Sequence, residues 1–172
     1  MSDASCTLIL GGARSGKSRY GQHLAEASGL ALRYLATAEA LDTEMASRIE
    51  RHQAERDARW QTVEAPLALA AAIGANSTPG QFVLVDCLTL WLSNVMHAQR
   101  SVDVETRALV TALSEAPGPV ALIANEVGLG LVPETPLGRA FRDAQGLLNQ
   151  TLAAHCDRVL FVAAGLPLTL KG

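Results

Sequence analysis

The sequence carries no basic excess: 14 Lys and Arg stand against 17 Asp and Glu, a formal net charge of −3. A general nucleic-acid binder usually shows a basic surplus, so that class is demoted and no nucleic-acid partner is expected. No apolar run approaches the roughly 20 residues that a membrane span needs. The longest, Pro66–Ala75 and Phe82–Leu92, are short or broken by Asp86. Met1–Ser5 offers no basic stretch ahead of an apolar core, so no secretory leader is expected. Cysteine is scarce. Cys6, Cys87 and Cys156 lie far apart, without CxxC or zinc-ligand spacing. Their number and spacing point to a reducing, cytoplasmic compartment and to a fold that needs no disulfide or metal staple. Internal repeats, low-complexity tracts and long linkers are also missing. What is present is 172 residues, 49% hydrophobic and 18% charged, the balance of one packed domain over 1–172.

Short apolar runs alternate with helical patterns. Cys6–Leu10, Ala31–Ala36, Phe82–Val85, Val120–Ala124 and Arg158–Ala163 read as strands, with a short extended piece at Trp60–Glu64 and a last one at Leu166–Leu170. Helices are predicted over Lys17–Ala27, from Asp42 to about Arg56, over Pro66–Ala75, Thr89–Ala98, Val104–Ser114 and Leu137–His155. This alternation predicts an α/β fold, a mainly parallel sheet with helices on both faces. Ligands in such sheets bind at the carboxyl ends of the strands. The loops Gly11–Gly16, Thr37–Leu41, Asp86–Thr89 and Asn125–Pro133 are therefore expected to share one site.

Gly11-Gly12-Ala13-Arg14-Ser15-Gly16-Lys17-Ser18 fits GxxxxGK(S/T) between a strand and a helix. Average residue frequencies put a chance match at roughly 3 in 10⁵ per position. The glycines let backbone amides face phosphate oxygens, and the helix N-terminus adds partial positive charge. Lys17 is expected at the β- and γ-phosphates and Ser18 on Mg²⁺. Asp86 ends an apolar strand, where a second Mg²⁺ ligand belongs; a helix-capping aspartate is the other reading.

Glu44, Arg48, His52 and Arg56 recur every four residues and line one side of their helix. Two arginines flanking an imidazole suit a triphosphate with a nucleophile beside it. From the pattern alone, a surface or packing histidine is the commoner case. His23, His97 and His155 read as structural. The helix after the Asn125–Pro136 loop carries Arg139, Arg142, Asp143, Gly146, Asn149 and Gln150 within a third of its circle, opposite Leu137, Phe141, Ala144, Leu148 and Leu152. That face suits a ligand or a neighbouring subunit, or is an ordinary amphipathic helix.

Taken together, GGARSGKS at 11–18, YLATAEALDTEMASRIERHQAER at 34–56, W-x-T-V-E at 60–64, DCLTLWLSN at 86–94, NEVGLGLVPETPLGRAFRDAQGLLNQ at 125–150 and G-L-P-L-T-L-K at 165–171 resemble the bifunctional adenosylcobinamide kinase / adenosylcobinamide-phosphate guanylyltransferase family of cobalamin biosynthesis. The resemblance covers nearly the whole chain. It implies a RecA-like P-loop fold, a homotrimer, and ATP, GTP and the corrinoid as substrates. It also implies phosphorylation of adenosylcobinamide, then GMP transfer from GTP through a guanylylated histidine, which RIxxHxxxR identifies as His52. Nucleotide contacts are implied for Ala36, Thr37, Ala38, Gln53, Ala54, Glu55, Arg56, Glu64 and Asp86. A kinase alone, or a non-enzymatic nucleotide switch, is the competing reading. Against the switch, no NKxD-type guanine motif is present.

Overall fold

The computed structural model describes residues 6–39 and 57–172. The helix predicted from Asp42 to Arg56, with His52, Gln53, Ala54, Glu55 and Arg56, lies outside them. The strands are β1 (Cys6–Gly11), β2 (Ala31–Ala36), β3 (Trp60–Glu64), β4 (Gln81–Asp86), β5 (Val120–Asn125), β6 (Arg158–Ala163) and β7 (Leu166–Lys171). The described helices are α1 (Lys17–Ala27), α2 (Leu69–Asn76), α3 (Leu88–His97), α4 (Val102–Glu115) and α5 (Pro136–His155).

One seven-stranded sheet runs in the order β3-β2-β4-β5-β1-β6-β7. Neighbours pair in parallel except β6 with β7, which are antiparallel. All six residues of β1 are buried, as are the inner residues of β4 and the first five of β5. A strand covered on both faces must be apolar throughout, which is why CTLIL, FVLV and VALIA show no alternation. Side chains still divide by parity. Leu8, Leu10, Val83, Val85 and Leu122 face one core with Leu69, Trp91, Leu109, Leu148 and Leu152 of α2–α5. Ile9, Leu84, Ala121 and Ile123 face the other with Ala25, Tyr20 and Leu24 of α1. Burying each large side chain contributes roughly 1.5–3 kcal/mol, so the two cores supply the main driving force.

Three expectations change. Helix α2 begins at Leu69 rather than Pro66. The Pro66 and Leu67 carbonyls accept instead from Asn94 Nδ2 at 3.0 Å and Trp91 Nε1 at 3.0 Å, and so stay outside the helix. On α5, Gln145 and Asn149 are buried while Leu137 is 62% exposed, so the outward polar face stops short of Asn149. Cys6 and Cys156, 150 residues apart, are paired as a disulfide, with Cα atoms 4.6 Å apart. Parallel pairing of β1 with β6 brings the start of one strand beside the residue entering the other, where Asp157 N–H donates to Cys6 O at 3.0 Å.

Candidate active site

The loop Gly11–Gly16 leaves the carboxyl end of β1 and turns into α1. Lys17 Nζ donates to Gly12 O at 3.3 Å and Ser15 N–H to Gly12 O at 3.3 Å, curling the loop on itself. Gly16 sits at φ 96°, where only glycine is comfortable, and a Cβ there would lie 3.0 Å from Gly165 Cα. At Gly11 a Cβ would meet Val162 O at 2.5 Å. The loop is also held from outside. Glu126 N–H donates to Gly11 O at 3.1 Å, and Gly165 N–H, in the β6–β7 turn, donates to Ser15 O at 2.7 Å. Helix α1 has no side-chain cap and no acidic residue in its first turn. Lys17 N–H donates to Ser15 Oγ at 3.4 Å, while the Ser18 and Arg19 amides have no acceptor among the described residues, so the helix start and its positive dipole end are open to an anion.

Asp86 ends β4, half-buried, two strands from β1. Tyr34 Oη donates to Asp86 Oδ2 at 3.1 Å; among the described residues no donor takes Oδ1. Tyr34 is packed edge-on against Trp60, their ring centres 6.0 Å apart. The neighbouring Asp86–Cys87 peptide is cis, and Thr37 clasps it. The Thr37 hydroxyl donates to Cys87 O at 2.7 Å and accepts from Cys87 N–H at 2.8 Å. Thr37 is fully buried, and its own carbonyl accepts from Asn94 Nδ2 at 2.8 Å. Its side chain thus braces the end of β4, a role that sequence spacing did not indicate for a residue expected to touch nucleotide. Burial first, then the adjacent Asp86 carboxylate, push the Cys87 thiol up to about 11, while the Lys17 ammonium pulls the other way.

Of the other expected residues, Ala36 and Ala38 flank Thr37, half-buried, and Glu64 is exposed at the end of β3, level with Ala36. The carboxyl ends of β1 to β5 thus gather the phosphate loop, Ala36–Ala38, Glu64 and Asp86. The histidines read as structural lie away from them: His23 and His97 are exposed on helices. His155 lines a cavity of about 190 Å³ near Cys6 and Asp157, at the amino ends of the strands. Sequence reasoning missed Tyr34 and Thr89. Thr89 Oγ1 accepts from Asn125 N–H at 2.8 Å, tying α3 to β5. Both lie inside the quoted motifs, which was the available signal.

The fold resembles solved structures that share little sequence with it. Flagellar accessory protein FlaH of Methanocaldococcus jannaschii matches at TM-score 0.54 and 13% identity, over 99% of this chain and 80% of that one. The RadB recombinase matches at 0.50 and 14%, over 93% and 74%. Such likeness shows the fold alone, that of the RecA-like P-loop ATPases. Sequence relatives are far closer. The bifunctional adenosylcobalamin biosynthesis protein CobP of Pseudomonas aeruginosa is 52% identical over 167 residues, 96% of either chain. The protein CobU of Salmonella typhimurium, with the same description, is 38% identical over 179 aligned positions, 95% of this chain and 98% of its own. Residues 7–170 match the family model described as cobinamide kinase / cobinamide phosphate guanyltransferase, and the chain belongs to that family.

Proposed function

We propose that this chain performs both reactions of its family on adenosylcobinamide. In the first, the aminopropanol hydroxyl attacks the γ-phosphorus of ATP or GTP. An O–P bond forms, the bond to the β-phosphate oxygen breaks, the hydroxyl proton is released, and nucleoside diphosphate leaves. In the second, an imidazole nitrogen of His52 attacks the α-phosphorus of GTP and pyrophosphate leaves. The phosphate of adenosylcobinamide phosphate then attacks that phosphorus, which frees His52 and gives adenosylcobinamide-GDP.

The observation that carries this reading is the phosphate loop, with its uncapped helix start and with Lys17 reaching across it. Gly11, Gly12, Ala13, Arg14, Ser15, Gly16, Lys17 and Ser18 hold the phosphates in both reactions. Ala36, Thr37, Ala38, Gln53, Ala54, Glu55, Arg56 and Glu64 supply the remaining nucleotide contacts, Thr37 by bracing Asp86. Among the described residues no three His, Cys, Asp or Glu side chains form a metal cage. Ser18 and Asp86 Oδ1, which no donor takes among the described residues, are instead hard oxygen ligands of the kind that hold Mg²⁺ together with phosphate oxygens. When bound, that ion offsets the charge on the β- and γ-phosphates.

A homotrimer is the assembly we propose. Leu166, Leu168 and Leu170, 57–72% exposed along the edge strand β7, offer apolar surface for it. Among the described residues no helix is long and apolar enough to cross a membrane. Use of ATP and GTP, rather than the cysteines, supports the cytoplasm as its location. Lys17→Ala tests the reading: corrinoid phosphorylation and GMP transfer both fall, each by about a hundred-fold or more. Retention of either activity in the folded variant refutes a single shared phosphate loop.

A further inference from the structure

Asp86 is the last residue of β4, and the strand beside it decides where its carboxylate goes. β2 runs parallel to β4, with Tyr34 level with Leu84 and Ala36 level with Asp86. Side chains alternate between faces along a strand, so Tyr34, Leu84 and Asp86 share one face. Tyr34 and Leu84 pack there with Tyr20 and Leu24 of α1. The carboxylate therefore belongs to the α1 side of the sheet, and α1 carries Ser18 in its first turn.

Tyr34 reaches forward along that face. Its buried ring carries Oη to Asp86 Oδ2, to which it donates at 3.1 Å. A tyrosine hydroxyl is aimed by its ring, and this ring is held. Trp60 of β3 meets it edge-on, with 85° between the planes, and Trp60 Nε1 donates to Glu26 Oε1 of α1 at 3.2 Å. The backbone beyond Asp86 is held from the same strand, by the Thr37 hydroxyl on the N–H and carbonyl of Cys87. The carboxylate is not used on α3, which no side chain caps. β2 thus fixes the orientation of one carboxylate through side chain and backbone together. Oδ2 is tied back, and no donor takes Oδ1 among the described residues.

We propose that Tyr34 is a positioning residue that makes Asp86 a one-oxygen ligand, and that it thereby sets a preference for Mg²⁺ over a larger cation such as Ca²⁺. This rests on the reading of Gly11–Ser18 as the phosphate loop and of Ser18 and Asp86 as Mg²⁺ ligands. Ca²⁺ takes carboxylates through one oxygen or both, in loose geometry, whereas Mg²⁺ demands a near-octahedral shell. A carboxylate with one oxygen tied back and its plane held suits the stricter ion and gives the looser one no advantage. Groups that orient a metal ligand in this way commonly matter roughly ten- to a hundred-fold for metal affinity.

The test measures affinity of the full chain for α,β-methylene-GTP, whose carbon link blocks release of pyrophosphate, in Mg²⁺, in Ca²⁺ and in EDTA. Tyr34→Phe keeps the ring against Trp60 and removes only the hydroxyl. It is expected to weaken binding in Mg²⁺ about ten-fold and to leave the Ca²⁺ and EDTA values within about two-fold. Trp60→Phe loses the bond to Glu26 and loosens the tyrosine ring. It lowers the Mg²⁺-to-Ca²⁺ preference about three-fold, and adds nothing to Tyr34→Phe in the double variant, because it acts through the same hydroxyl. Equal weakening by Tyr34→Phe in all three conditions overturns the proposal, because Tyr34 then only supports the fold of the site. An unchanged Mg²⁺-to-Ca²⁺ preference overturns it as well; should Tyr34→Phe not fold, an unchanged preference in Trp60→Phe does so. A wild type that binds equally with Mg²⁺ and with EDTA removes the Mg²⁺ reading and this proposal with it, and leaves the phosphate loop standing. A wild type that binds in none of the three conditions removes the phosphate loop too.

Discussion

At Cys87 the folded chain keeps its thiol protonated to about pH 11, against an ordinary value near 9. Unfolding frees the thiol to ionise, so between about pH 9 and 11 the unfolded state sheds a proton that the folded state retains. Stability is unaffected below that window and falls across it, by about 2–3 kcal/mol for a shift of this size. Comparing stability by chemical denaturation at pH 8.5 and 10.5, wild type is expected to lose about 1.5–2 kcal/mol more than Cys87→Ala, the part of the loss that falls between those pH values; equal losses contradict the buried thiol. The residues proposed to hold phosphate and Mg²⁺ were legible because their spacing is local: Gly11–Ser18 is one uninterrupted segment, and Asp86 ends an apolar run. Tyr34 and Thr37 were not legible as braces. They act across 52 and 50 residues of sequence, through the pairing of β2 with β4 that no local pattern specifies. Asn125 was readable only as part of a glycine-containing loop, because the burial of its side-chain oxygen is a property of packing.

Among elements, the described helices differ in how their first turns are closed. Helix α4 is capped by Ser101, with Asp103 and Glu105 in its first turn, and α5 by Thr135 with Pro136 behind it. These are ordinary ways to satisfy free amides and the helix dipole. Helices α1, α2 and α3, which follow β1, β3 and β4, have neither a side-chain cap nor an acidic first turn. The far end of α5 is closed by Lys171 of β7, whose Nζ donates to Ala153 O at 3.1 Å, Ala154 O at 3.1 Å and Cys156 O at 2.6 Å. This accounts for the lysine that ends the last quoted motif. Lys171→Met is expected to cost about 1–2 kcal/mol in chemical denaturation, by leaving those carbonyls without their cation. No measurable change means that water serves them equally well. The described strand and helix positions followed from hydrophobic periodicity. The misplaced start of α2 and the misread face of α5 did not, because tertiary partners decide them: Trp91 and Asn94 hold the turn before α2, and Asn125 draws Asn149 inward.

At the scale of the whole molecule, one end of a parallel sheet is given to chemistry and the other to closure. The carboxyl ends of β1, β2, β4 and β5 bring the phosphate loop, Thr37, Asp86 and Asn125 together, while the Cys6–Cys156 pair joins β1 to the end of α5 at the amino ends of the strands. The seven-stranded order itself was not legible, since periodicity gives elements but not neighbours. That the strand-end loops converge was legible, because every parallel α/β sheet imposes it. The central claim is that one such site serves two phosphorus transfers, the second through His52. It is tested most directly by incubating wild type and His52→Ala with α-³²P-GTP and Mg²⁺, without corrinoid. The account predicts an acid-labile, alkali-stable label on the wild type alone. An unlabelled wild type that still phosphorylates adenosylcobinamide, or a label that persists on His52→Ala, contradicts it.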